Sequence, residues 1–213
     1  MINTVIYDFD GTIMNTNIVV SESWKHTYRT IYGKEMPQEE IIKTFGEPIM
    51  ISMKRVFPNM DPDEAARIYR EYQEAHKKEL VKLFPGMDKL MKDVKERGFK
   101  TAIVTSRFRN SLIDYLKAFD ILEYAEVLVT CDDTKAHKPD PEPILIALKK
   151  LGSKAEESIM IGDSMFDILC AKNAGCPSAL VSWAEAVTEE DIKGENAPEF
   201  FMEKPEDLFE ILK

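Results

Sequence analysis

Short apolar runs separated by longer amphipathic stretches set the rhythm of this chain. Thr4-Val5-Ile6-Tyr7 is an uncharged β-branched and aromatic run, the pattern of a buried strand, and Asp10-Gly11 ends it with a turn signal. From there to about residue 82 the spacing is helical. Asn15 or Thr16 is placed to cap a helix reaching Tyr32, which Gly33 closes. Pro37 with Gln38-Glu39-Glu40 suits the first turn of a short helix that stops near Phe45-Gly46. Glu47-Pro48 restarts the chain, followed by a narrow stripe of Ile49, Met53 and Val56. Asp61-Pro62 opens a long helix reaching about Val81, with Ala65, Ile68, Tyr69, Tyr72 and Ala75 as its expected buried face.

Beyond Phe84-Pro85-Gly86, helix and strand alternate. Buried strands are expected over 101–105, 126–130, 158–161 and 178–181, with an edge strand over 199–202. Helices are expected over 87–97, 110–119, 141–151, 166–174 and 205–212, several of them closed by Gly98, Gly152 or Gly175. Such alternation implies a parallel sheet covered on both faces, and right-handed crossovers reduce the topology to a doubly wound α/β core. That core is expected to comprise residues 1–14 and 83–213, with residues 15–82 inserted as an all-helical unit. The acidic stretch 185–195 is expected to be a solvated loop or exposed helix.

Composition narrows the setting. With 213 residues, 44% hydrophobic and 31% charged, the chain has the material for one good core and a smaller insertion. No apolar run approaches the roughly 20 residues needed to span a bilayer, and Met1 leads directly into the first strand, so a cytoplasmic location without membrane partners is expected. Cys131, Cys170 and Cys176 are odd in number and lack Cys-x-x-Cys spacing, which argues against a disulfide framework or a zinc site. The formal charge of −10 argues against a nucleic-acid surface. It does not exclude an anionic substrate, because a divalent cation and a few basic groups can reverse the potential locally. A monomer or homodimer is expected.

In a parallel sheet, ligands bind beyond the carboxyl ends of the strands, and four strands deliver polar groups there. The first delivers Asp8 and Asp10, which the period of two places on one side. The second ends in Thr105-Ser106, suited to phosphate oxygens, and Arg107 follows. The third leads to His137-Lys138-Pro139-Asp140-Pro141, where prolines stiffen the chain around Lys138. The fourth ends in Gly162-Asp163-Ser164-Met165-Phe166-Asp167.

Asp-x-Asp-Gly-Thr, Thr-Ser, Lys-Pro and Gly-Asp-Ser-x-x-Asp, in that order and each after its own strand, resemble the haloacid dehalogenase-like superfamily of phosphohydrolases over essentially the whole chain. The resemblance implies a Rossmann-like core with a mobile helical cap, and magnesium as cofactor. Carried onto these positions, it implies Asp8 as nucleophile, Asp10 as acid–base, and Lys138 as the compensating cation. It further implies a metal site of Asp8, Asp163 and the carbonyl of Asp10, phosphate binding at Thr105 and Ser106, and supporting roles for Thr12 and Asp167, the latter acting on the metal and Lys138 indirectly. The residues fit that chemistry independently. Magnesium prefers hard oxygen ligands, a carboxylate can attack phosphorus in line, and crowding of Asp10 beside Asp8 favours a shared proton.

Within the superfamily, Asn15-Thr16-Asn17, Phe45-Gly46-Glu47-Pro48, the stretch from Val129 through Pro143, and Leu151-Gly152-Ser153-Lys154 resemble the branch of phosphoglycolate phosphatases and PpaX-type pyrophosphatases. The expected substrate is a small phosphorylated metabolite such as 2-phosphoglycolate, with inorganic pyrophosphate as the alternative. Val20 and Ile49 stand where the family's sugar-phosphate mutases carry His and Arg, which weakens a mutase reading, and the presence of all four catalytic positions argues against a non-catalytic protein. Selectivity is expected from the loop around Gly46-Glu47, from Arg107, and from basic residues of the helical unit, with Lys54, Arg55, Lys77 and Lys78 as candidates.

Overall fold

A computed structural model describes residues 1–183 and 193–213. The greater part of the acidic stretch 185–195 therefore lies outside the described residues. The central sheet has six strands, all parallel: β1 (Thr4–Tyr7), β4 (Lys100–Val104), β5 (Val127–Val129), β6 (Ser158–Gly162), β7 (Ser178–Val181) and β8 (Phe200–Met202), in the order β5-β4-β1-β6-β7-β8. From β1 the chain builds outward through β4 and β5, then returns across β1 to build β6, β7 and β8. The strand order thus reverses at β1, the position where such sheets open a crevice for ligand.

Alternation along the strands explains why both faces are covered. Val5 and Tyr7 of β1, Ile103 of β4 and Ile159 and Ile161 of β6 enter one buried cluster, with α5 (Met87–Glu96), α6 (Arg109–Ala118) and α9 (Leu208–Ile211). Ile6, Ala102, Val104 and Met160 point the other way, into a cluster with α7 (Glu142–Leu151) and α8 (Met165–Ala174). The same parity carries Asp8 to the side of Ile6, and so towards α8 and the loop before α7. Trp183 packs at the margin of the first cluster against Phe84, with ring centroids 5.6 Å apart.

Helices α1 (Asn17–Tyr32), α2 (Gln38–Ile42), α3 (Ile49–Val56) and α4 (Pro62–Leu80) form a separate apolar cluster. Trp24 stacks on Phe57 at 6.2 Å and meets Tyr69 at 5.2 Å, so this tryptophan is core. Asp61 caps α4 through the amide of Asp63, and Gly33 closes α1 in the left-handed conformation. The buried face of α4 is Ala65, Ala66 and Tyr69. Ala75, expected inside, is exposed, because the helical period turns it away from the face formed by Ala65, Ala66 and Tyr69. The second helix also stops sooner than expected, at Ile42, with turns carrying the chain to Gly46.

Two short strands were not expected. Met14–Asn15 (β2) and Lys82–Leu83 (β3) pair antiparallel, clasping the two chain crossings between the helical unit and the core. Two residues are too short a run for period-two patterning to show. Among the described residues no helix is long and apolar enough to cross a membrane.

Phe57 is fully buried and meets the rings of Trp24, Tyr28 and Tyr32. Phe57→Ala is expected to cost about 3–5 kcal/mol in urea unfolding followed by tryptophan fluorescence. A loss below about 1 kcal/mol would show that this cluster does not hold the helical unit together.

Candidate active site

The loop after β1 presents the first two acids. The amide of Asp8 donates to the carbonyl of Ile161 at 2.8 Å, tying the strand end to β6, and a tight turn follows in which Met14 N donates to Phe9 O at 2.9 Å. Gly11 has φ +79° in that turn, and a Cβ there would lie 2.0 Å from Asp163 Oδ2. Glycine is needed both for the backbone conformation and for the closeness of the fourth motif.

Lys138 is the hub. The residue is 4% exposed, and its ammonium donates to Asp8 Oδ1 at 2.7 Å, Asp167 Oδ1 at 2.5 Å and the carbonyl of Val104 at 3.5 Å. The expectation that Asp167 acts on Lys138 indirectly is corrected by this direct contact. The loop carrying Lys138 is pinned by Glu142, whose carboxylate accepts the amides of Lys135 and Ala136 at 3.1 and 2.6 Å. Asp167 is fixed by a capping box at the start of α8, its Oδ2 accepting from Ser164 Oγ at 2.7 Å and Ser164 N at 3.2 Å. Gly162 makes room for it, since a Cβ there would stand 2.3 Å from that of Asp167.

Asp8, Asp163 and Asp167 are all buried, with carboxylate oxygens within 4.8 Å of one another. Burial pushes Asp8 up to about 7 against the opposing pull of Lys138, with Asp167 adding to the rise. Burial also raises Asp163 well above the usual carboxylate range, and its acidic neighbours add to it. Burial works against the Lys138 ammonium, but Asp167 and Asp8 outweigh it and hold the amine protonated. Three acids thus share one ammonium. That all-oxygen set fits a hard divalent cation. Both oxygens of Asp167 are already engaged, whereas Asp163 accepts no hydrogen bond among the described residues, so Asp8 and Asp163 are the acids placed to hold such an ion.

Asp10 stands apart from this cluster. Arg107 grips it with two bonds, Nη2 to Oδ1 at 2.5 Å and Nε to Oδ2 at 2.9 Å, and Thr16 Oγ1 donates to Oδ1 at 2.8 Å. Arg107 also donates to Ser111 Oγ at 2.8 Å and lies over the Tyr115 ring at 4.9 Å. Two expectations change. Arg107 contacts Asp10 rather than being left for substrate, and Thr16, though it occupies the cap position of α1, spends its hydroxyl on Asp10 instead of on the helix amides. The sequence pattern shows a cap signal in either case.

A cleft of about 420 Å³ opens over these groups between sheet edge and helical unit, and its lining includes Asp8, Asp10, Thr105, Ser106, Lys138 and Asp163. Thr105 Oγ1 accepts from Arg107 N at 3.1 Å, and Ser106 Oγ donates to the carbonyl of Gly46 at 3.2 Å, so the second motif touches the helical unit directly. Gly46, at φ +77°, backs onto Ser164 so closely that a Cβ would come within 2.8 Å of its hydroxyl. Thr12 is fully buried and does not line the cleft.

Of the basic residues singled out in the helical unit, none lines it. Arg55 pairs with Glu47 at 2.9 Å, Lys77 pairs with Glu74 at 2.6 Å, and Lys54 and Lys78 are exposed. The lining contributed by α4 is Tyr69, Arg70 and Gln73. Tyr69 and Gln73 are one helical turn apart, but nothing in the spacing of charges distinguishes Arg70 from its neighbours.

The profile of haloacid dehalogenase-like hydrolases matches residues 5–181. The chain belongs to that family. Among curated relatives, the pyrophosphatase PpaX of Halalkalibacterium halodurans is 38% identical over 99% of this chain and 97% of its own length. The PpaX of Bacillus pumilus is 36% identical over 99% of this chain and 96% of its own. A solved structure from Lactobacillus plantarum, provisionally named as a phosphoglycolate phosphatase, superposes with a TM-score of 0.86 at 25% identity, covering 99% of each chain. This member of the haloacid dehalogenase-like hydrolases therefore has the family's α/β Rossmann-like core, as expected.

Two measurements probe the site. Gly11→Ala should displace Asp163 and weaken divalent-cation binding about 10- to 100-fold by calorimetry, and unchanged affinity would remove Asp163 as a ligand. The raised acids also give a pH signature. A folded value above the unfolded one stabilises the fold at low pH, fully below about 3.8, and that contribution is lost as pH rises through about 7. In chelator, the unfolding temperature should therefore fall between about pH 5 and about pH 8, and magnesium should narrow the difference. A flat profile in chelator would contradict the assigned burial of Asp8.

Proposed function

We propose that this chain is a magnesium-dependent phosphohydrolase acting on a small anionic phosphate compound through a phosphoryl group carried on Asp8. The observation that carries the reading is the buried Asp8–Lys138–Asp167 cluster with Asp163 beside it, at the strand ends of a haloacid dehalogenase-like hydrolase. Asp8 is the nucleophile. Its oxygen forms a bond to phosphorus as the bond to the leaving oxygen breaks, giving an acyl phosphate that water then hydrolyses. Lys138 orients Asp8 and offsets the charge that develops when a carboxylate approaches a phosphate. Thr105 and Ser106 hold phosphate oxygens, and Asp8, Asp163 and the carbonyl of Asp10 would hold magnesium. When bound, that ion supplies Lewis-acid neutralisation of the phosphoryl oxygens.

Asp10 is the acid–base residue. It delivers a proton to the leaving oxygen and then receives one from the attacking water. Because Arg107 and Thr16 occupy its oxygens, each transfer requires Asp10 to exchange one of those bonds for a bond to the leaving group or to water. The helical unit, 15–82, acts as a cap whose closure excludes water from the intermediate.

Two substrates suit this cleft. The names of the curated relatives favour inorganic pyrophosphate, and that of the Lactobacillus plantarum structure favours 2-phosphoglycolate. Both join a transferable phosphate to a second anionic group.

The test is phosphate release with magnesium from each compound, using Asp8→Asn as the blank. The isosteric variant should keep its unfolding midpoint and lose turnover by about 10³-fold or more. Turnover near wild type in Asp8→Asn would remove Asp8 as nucleophile. The faster of the two substrates identifies the second group that the cap recognises.

A further inference from the structure

The cleft is lined by four acids, Asp8, Asp10, Glu47 and Asp163, and by three cationic side chains, Lys138, Arg107 and Arg70. Two of them are spent internally. Lys138 is divided between Asp8 and Asp167, and Arg107 commits two nitrogens to Asp10 and its third to Ser111. Arg70 is different: among the described residues it has no carboxylate partner. The acids around it are already taken, Glu47 by Arg55 and Ser52, Glu71 by Arg67, and Glu74 by Lys77.

Its contacts leave its donors available. The guanidinium lies over the ring of Phe108 with 4.8 Å to the centroid, and one nitrogen is 3.8 Å from Met50 Sδ, a weak acceptor. A cation–π contact uses the face of the guanidinium and leaves the in-plane N–H fork free, the geometry that matches a carboxylate or phosphate in two bonds. Phe108 follows directly on the phosphate-binding stretch Thr105-Ser106-Arg107. Arg70 is thereby held by a core residue while it projects from the cap.

We infer that Arg70 binds the second anionic group of the substrate, and so makes this enzyme selective for phosphate compounds that carry a further phosphate or carboxylate. The inference rests on the phosphohydrolase reading for its consequence in turnover, but not for its consequence in binding. Once one phosphate occupies the strand ends, a second anion in a cleft lined by Asp8, Asp10, Asp163 and Glu47 needs a cation of its own. Arg70 is the one still free to supply it among the described lining residues. Selection therefore falls on α4, beside Tyr69 and one turn before Gln73, rather than on the basic residues singled out in the sequence.

The deciding comparison is wild type against Arg70→Gln, with Arg70→Lys as the conservative variant and unfolding midpoints to show that all three are folded. Methylenediphosphonate, which is not hydrolysed, is titrated calorimetrically with magnesium present. Its Kd should rise about 10- to 100-fold in Arg70→Gln and partly recover in Arg70→Lys. In turnover, the KM for pyrophosphate and 2-phosphoglycolate should rise similarly, while that for p-nitrophenyl phosphate, which has no second anion, should stay within about twofold. An unchanged Kd, no binding to wild type, or an equal rise for p-nitrophenyl phosphate would each overturn the role of Arg70. Arg70-dependent binding without phosphate release from any compound would uphold Arg70 and instead overturn the phosphohydrolase reading.

Discussion

An ammonium enclosed by protein must be compensated, and the site of this molecule is arranged around that requirement at Lys138. Removing one partner from a buried pair costs about 3–5 kcal/mol, because it strands the other charge away from water. Lys138 cannot be supplied by local structure. Asp8 reaches it from the end of β1, Asp167 from the first turn of α8, and Val104 from the end of β4, so three separate elements must be in register before the charge is met. The polar groups behind them serve the same end: Glu142 pins the lysine loop, Ser164 orients Asp167, and Gly162 admits it.

The sheet makes that convergence possible. Parallel strands end on the same edge, and the reversal of strand order at β1 leaves the carboxyl end of that strand open above the layer of helices. Parity then sorts the side chains, sending Val5 and Tyr7 to one core and Ile6 and Asp8 to the other. The helical unit adds a second requirement. Its loop at Gly46 rests on Ser106 and against Ser164, so a group proposed to bind phosphate also marks where helical unit and core meet. Arg107 and Thr16 hold Asp10 from the core and from the first turn after the crossing. A displacement of the helical unit would therefore reach the proposed acid–base residue through Thr16.

What was legible in the sequence follows the range of the forces involved. Strand and helix positions in the core follow hydrophobic period, glycine stops and proline starts, all short-range signals, and the described structure has them within a few residues. The convergence of Asp8, Asp10, Lys138 and Asp163 on one cleft was legible for a related reason: the three acids lie within a few residues of a strand end and Lys138 lies in the loop that leaves β5, and parallel strands bring their ends together whatever the detailed packing. The clasp of β2 and β3 was not, since two residues carry no period.

The sequence by itself determined the α/β class, the four motifs and the family they resemble, because each depends on neighbours in the chain or on topology that strand–helix alternation prescribes. Only the tertiary structure decided how the charges are shared out. Asp10 is gripped by Arg107, 97 positions away; Lys138 is split between acids 130 and 29 positions away; and Arg55 and Lys77 are paired with Glu47 and Glu74. Whether a cation is free for substrate depends on which acid lies within about 4 Å of it, a matter of side-chain packing between elements remote in sequence. Hydrophobic period does not encode that, and so Arg70, indistinguishable in the pattern from its charged neighbours, emerges only from the fold.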